Sequence, residues 1–119
     1  MAEVDTITGY HAHVYYLPQT RERAARVRDA IGAAFDVTLG RWHDGPVGPH
    51  PMPSYQVAFA PAAFATLVPW LALNREGLSV LVHPESGDEV ADHTEHAMWL
   101  GPALPLDVEY LRAVVERHR

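Results

Sequence analysis

The chain has 119 residues, 48% hydrophobic and 20% charged, with a formal net charge of −6, a length and balance that predict one folded domain over residues 1–119 with a single core. Cysteine and lysine are both absent, so disulfides, thiolate nucleophiles, cysteine-ligated metal clusters, Schiff-base lysines and a Walker-type lysine are excluded. The acidic balance argues against a nucleic-acid partner, no apolar run approaches the ~18 residues that span a bilayer, and the acidic start "MAEVDTITGY" lacks a signal-peptide pattern, so a cytoplasmic location is expected.

Residues 10–17, "YHAHVYYL", read as a first strand rich in aromatics, closed by Pro18. Thr20 is placed to cap a helix of about four turns, in which Val27, Ala30, Ile31, Ala34 and Phe35 recur at helical spacing opposite Arg21, Arg28 and Asp29. Residues 36–42, "DVTLGRW", supply a second strand. The following stretch is proline-rich and presents His43 and His50; proline fixes φ, so such a loop holds a defined shape. Residues 54–60 alternate, with Tyr55, Val57 and Phe59 on one face. Pro61 suits the start of a second helix carrying Phe64, Leu67, Val68 and Leu71, which Pro69 is expected to kink or split. Residues 77–84 read as a fourth strand, 85–96 as a polar connection, and "AMWLG" as a short fifth strand. A last helix is expected to open at Pro105 and turn Leu111, Val114 and Val115 inward.

This order, β-α-β followed by β-α-β and a tail, predicts an α+β fold: a ferredoxin-like βαββαβ sandwich with a short extra strand and a C-terminal helix. Both long helices then pack on one sheet face, and the other is expected to be open or covered by a second subunit. A homodimer with Trp99 near its interface follows as an expectation.

Period-2 geometry puts His11, His13 and Tyr15 on one face of the first strand and Tyr10, Ala12, Val14 and Tyr16 on the other, more apolar one. On the fourth strand Leu78, Val80 and Val82 form the core set, so Ser79, Leu81 and His83 face the same way as His13. The plan lays these two strands side by side, and His50 enters from the loop before the third. Convergence of His13, His50 and His83 is therefore expected, and such imidazoles are good ligands for iron, zinc, copper or nickel. Carboxylates crowd nearby at Glu85, Asp88, Glu89, Asp92 and Glu95, and a helical turn at "DHTEH" places Asp92, His93 and His96 together. Plainer readings stand beside these: a half-exposed His-x-His pair, solvent-facing His43 and His118, a solvated acidic loop at 85–95, and tryptophans 42, 70 and 99 as packing anchors.

The stretches "YHAHVYY", "WHDGPVGPHPMPSYQVAF" and "LVHPESGDEVADHTEHAMWLG" together resemble the DOPA 4,5-dioxygenase-like family, from about Tyr10 to Gly101. The resemblance implies a ferredoxin-like fold, frequently dimeric, and extradiol cleavage of a catechol amino acid with Fe(II) and O₂. It lands on His13, His50, His83 and His93. The expectation is thus a non-heme Fe(II) dioxygenase acting on a small aromatic substrate, with metal on His13, His83 and His50 and acid–base work at His50 or His93. Arg41 and Arg75 are candidate acceptors of a substrate carboxylate. The competing expectation is a non-catalytic dimeric ferredoxin-like module binding a small ligand or metal; zinc in place of iron would suit either and add hydrolysis.

Overall fold

In a computed structural model describing residues 1–119, strand alternation sorts the side chains into two layers on either side of one sheet. β1 (Tyr10–Tyr15) lies in the middle, antiparallel to both β3 (Ser54–Phe59) and β4 (Val80–Pro84). β2 (Thr38–Leu39) joins the far edge of β3 and β5 (Met98–Leu100) that of β4, so the order is β2-β3-β1-β4-β5. With α1 (Arg21–Ala34) between β1 and β2 and α2 (Phe64–Asn74) between β3 and β4, this is the expected ferredoxin-like α+β plan. α3 (Glu89–Asp92) lies between β4 and β5, and α4 (Val108–Arg117) ends the chain.

The core holds Ala12, Val14, Tyr16, Tyr55, Val57, Val80 and Val82 from the sheet against Ala24, Val27 and Ile31 of α1 and Leu67 and Leu71 of α2. Each fully buried aliphatic side chain there contributes roughly 1.5–3 kcal/mol relative to exposure. Tyr55 reaches through the layer to donate its hydroxyl to Ala24 O at 2.8 Å, tying α1 to the sheet. Trp42 and Trp70 pack on this core as anchors.

Several boundaries differ from expectation for local reasons. β2 is only two residues because Gly40 draws close to β3, its N–H bonded to Gln56 O at 2.7 Å, before the chain leaves and returns at the His43–Ser54 bridge. Thr20 precedes α1, but its hydroxyl bonds Leu17 N at 2.9 Å rather than capping the helix. Pro61 opens a 3₁₀ turn and α2 starts at Phe64. The helix then runs through Pro69 without splitting. Pro69 and Ala65, whose carbonyl loses its partner, both lie on the exposed side, where water replaces the bond. α4 starts at Val108, capped by Asp107, whose carboxylate accepts from Tyr110 N at 3.1 Å; Leu111 is buried, Val114 half-buried, and Val115 stays exposed.

The largest difference concerns the second sheet face. It was expected to be open, yet Tyr15, Leu81, His13 and His83 are all buried on it. Trp99 stacks on Tyr15 with ring centroids 5.8 Å apart, and α4 is fastened over the proline loop by Asp107 N–H to Pro49 O at 2.8 Å. The chain's own tail covers this face. No helix is long and apolar enough to cross a membrane.

Candidate functional site

Four segments deliver four histidines to one place on the second face. β1 supplies His13, and the β1–β4 register sets His11 opposite His83 and His13 opposite Leu81, so the His13 ring reaches diagonally to His83. Their Nε2 atoms stand 3.0 Å apart. His50 comes from the proline loop, which is closed at its base by two hydrogen bonds between His43 and Ser54 and at its tip by His50 N–H to Val47 O at 2.9 Å. Gly48 takes the first corner of that tip at φ 56°, a conformation that side-chain-bearing residues adopt with strain. The His50 ring then lies 4.2 Å from His13. His93 follows α3, and its ring lies 4.1 Å from His83 and 6.3 Å from His13. The convergence expected from parity and topology is present in space.

Each ring has a partner that orients it. His83 Nδ1 donates to Pro84 O at 3.0 Å, and His93 Nδ1 donates to Glu89 O at 2.8 Å. His50 Nδ1 instead meets the Tyr15 hydroxyl at 2.6 Å. Burial, reinforced by repulsion from neighbouring imidazoles, pushes His50 and His83 down to about 4 and His13 well below its ordinary range. All three are therefore neutral near pH 7, and His13 and His83 keep a ring nitrogen whose lone pair a metal can take.

The tightest group of donor atoms is His11, His13 and His83, with ring nitrogens all within 4.8 Å of one another. Glu85 adds a carboxylate: its Oε1 is buried, 3.0 Å from His11 Nδ1 and 3.6 Å from His83 Nδ1, yet without an aligned hydrogen bond. A cluster of neutral imidazoles beside an under-satisfied carboxylate suits borderline divalent ions such as Fe(II) or Zn(II). This donor set fits a metal. His50, grouped with the metal histidines on sequence grounds, packs against His13 but has Nδ1 engaged by Tyr15. His11, Glu85 and Tyr15 were not assigned from the sequence, although strand parity already put His11 and Tyr15 on this face.

A cavity of about 350 Å³ opens over the cluster, lined among others by His43, Gln56, Glu89 and Tyr110 and walled on one side by Val47, Leu111 and Val114. His43, expected to face solvent, is half-buried in this wall because its backbone pairs with Ser54. His118 is exposed as expected. Neither Arg41 nor Arg75 lines the cavity; the Arg75 guanidinium lies against the backbone of Gly101, where a Cβ would come within 3.1 Å of it. The 85–95 acids are not uniformly solvated either. Asp92 is buried and accepts from Ser86 N, Ser86 Oγ and His96 Nδ1 at 2.8, 2.6 and 2.8 Å, while Asp88 caps α3.

Two curated fungal proteins are similar to this chain. DOPA 4,5-dioxygenase of Amanita muscaria is 35% identical over 114 residues, 88% of this chain and 50% of that protein. An uncharacterized 21.2 kDa protein of Botryotinia fuckeliana is 35% identical over 120 residues, 91% of this chain and 66% of that one. The chain thus spans about half to two-thirds of these relatives' length. The crystal structure of a candidate dioxygenase from Nostoc punctiforme superposes with a TM-score of 0.95 at 55% identity, covering 96% of this chain and 99% of the other. The Dopa 4,5-dioxygenase family model matches residues 10–110, a span that takes in every histidine of the cluster, and the chain belongs to that family.

Proposed function

We propose that the cavity opens the ring of a small catechol with O₂ at a non-heme Fe(II) centre, by extradiol cleavage that puts both oxygen atoms into the product. The observation that carries this reading is the cluster of buried, neutral imidazoles at the floor of a cavity sized for a single aromatic ring. Fe(II) held by His13, His83 and His11, with Glu85 in reach, supplies Lewis acidity to the diol and one-electron exchange with O₂.

The chain's own residues supply the rest. His93 donates Nδ1–H to a carbonyl, which leaves Nε2 as the basic atom that receives a hydroxyl proton from the catechol. His50 faces the reacting oxygens from beside His13. Val47, Leu111 and Val114 pack the ring and exclude water. Glu89 lies at the exposed rim and no arginine lines the wall, so catechols with an ammonium or neutral tail are favoured over those ending only in a carboxylate.

The test is anaerobic loading with Fe(II), then catechol, dopamine, DOPA and caffeate in air, following O₂ uptake and yellow ring-opened products. Turnover with caffeate as the poorest substrate is expected. Silence across the panel defeats the enzyme reading, and binding without turnover would make the chain a ligand-binding module. Replacement of iron by zinc should abolish O₂ uptake. We further propose a homodimer joined along the edge carrying β5 and Trp99; a solution mass matching one 13.2 kDa chain contradicts it.

A further inference from the structure

We infer that Tyr15 locks His50 in the Nε2–H tautomer, making His50 a neutral hydrogen-bond donor to oxygen in the cavity and removing it from the set of metal ligands. Tyr15 is 1% exposed, and its hydroxyl makes one hydrogen bond, to His50 Nδ1 at 2.6 Å. Two arrangements of protons are open to this contact. If Nδ1–H donated to the phenol oxygen, the phenol proton would be buried without an acceptor, at a cost of about 1–3 kcal/mol. If the phenol donates to Nδ1, both groups are satisfied. The second arrangement leaves His50 with its proton on Nε2 and no lone pair there.

The neighbouring rings are set the opposite way. His83 and His93 each contact a backbone carbonyl through Nδ1, and a carbonyl can only accept. Their Nε2 atoms therefore carry lone pairs. The cluster thus combines two imidazoles that accept, or bind metal, with one that donates; His50 and His93 line the cavity, while His83 is fully buried beside His13 and His93. A neutral Nε2–H stabilises negative charge developing on oxygen without giving up its proton, so no proton balance is left open; net proton transfer belongs to His93. Tyr15 acts through His50 and is a positioning residue.

The tautomer can be read without turnover, while its effect on rate rests on the dioxygenase reading. Nitrogen-15 NMR of histidine-labelled protein, metal-free and then loaded with diamagnetic Zn(II), is expected to show His50 protonated at Nε2 in both states. His83 and His93 should be protonated at Nδ1. Tyr15→Phe is expected to let His50 populate both tautomers while the His118 signals stay in place. Protonation of His50 at Nδ1 in the parent, or loss of its Nε2 proton on zinc binding, overturns the inference, and the parent spectra decide this even where the variant fails to fold. In the iron-loaded enzyme, Tyr15→Phe should retain metal and KM but lose about tenfold in kcat, less than the ~10²-fold cost of removing an oxyanion donor outright. An altered tautomer with unchanged kcat overturns the catalytic part. A parent inactive on every catechol defeats the dioxygenase reading and leaves the tautomer result standing.

Discussion

His83 has no exposed surface, and that changes what its removal does. On an open face a ligand histidine packs little and is cheap to delete. Here truncation leaves a void under α3 and strips His13 Nε2 of its partner. His83→Ala is therefore expected to abolish metal retention and also to cost about 2–4 kcal/mol in urea unfolding. His118→Ala, at the exposed chain end, should alter neither quantity. The same burial predicts a pH response in the metal-free protein. His13, His50 and His83 are lowered in the folded state, so the unfolded chain takes up protons first, from about pH 6.5. Stability is whole above that pH and falls as pH drops toward about 4, by up to about 1.4 kcal/mol per pH unit for each histidine. His96 works the other way: its bond to Asp92 raises it, so its contribution is present below pH 6.5 and fades above. One exposed group does not offset three buried ones. The melting temperature should decline from pH 7 to pH 5, and a flat profile would contradict the buried, neutral assignment.

At the scale of elements, α3 is a single turn whose consequence exceeds its length. Asp92 ends it and ties it to the turn before it through Ser86 and to the turn after it through His96, while His93, the next residue, points into the cavity. Burial tends to raise Asp92, but the bonds from His96 and Ser86 outweigh it and leave it below its ordinary range. Asp92→Ala is expected to cost about 2–3 kcal/mol and to broaden the His93 signals in NMR; Ser86→Ala, which removes one of three bonds, should cost about 1 kcal/mol. A variant that unfolds like the parent would show that α3 is held by packing alone. Four residues are too few to display a helical period, so nothing in the apolar pattern announced α3, and residues 85–96 read as a polar connection with one helical turn at "DHTEH". By contrast, the strands alternate over five or six residues, and alternation is what set His13 and His83 on one face. The apolar stripe of α4 was equally visible, but a stripe says that a helix covers something and not which layer. That is why the second face read as open, and His43 as solvent-facing.

Across the whole molecule, the tail turns a two-layer sandwich into a sheet covered on both sides. Leu111 is the residue of α4 that is buried, at 4% exposure, and it also walls the cavity. Leu111→Ala should cost about 2–3 kcal/mol and raise KM for any ring the cavity accepts, because wall and lid are lost together. If stability falls while KM stays constant, the wall is not part of the binding surface. β1 occupies the centre of the sheet, its amides and carbonyls bonded to β3 on one side and β4 on the other. In hydrogen–deuterium exchange such a strand opens only with the whole protein, whereas α4, held by Asp107 and one leucine, exchanges through partial openings. His11, His13 and Tyr15 thus ride on the slowest-exchanging backbone, and the covering tail on some of the fastest. Motion of the pocket is therefore expected at its roof, above a floor that keeps still.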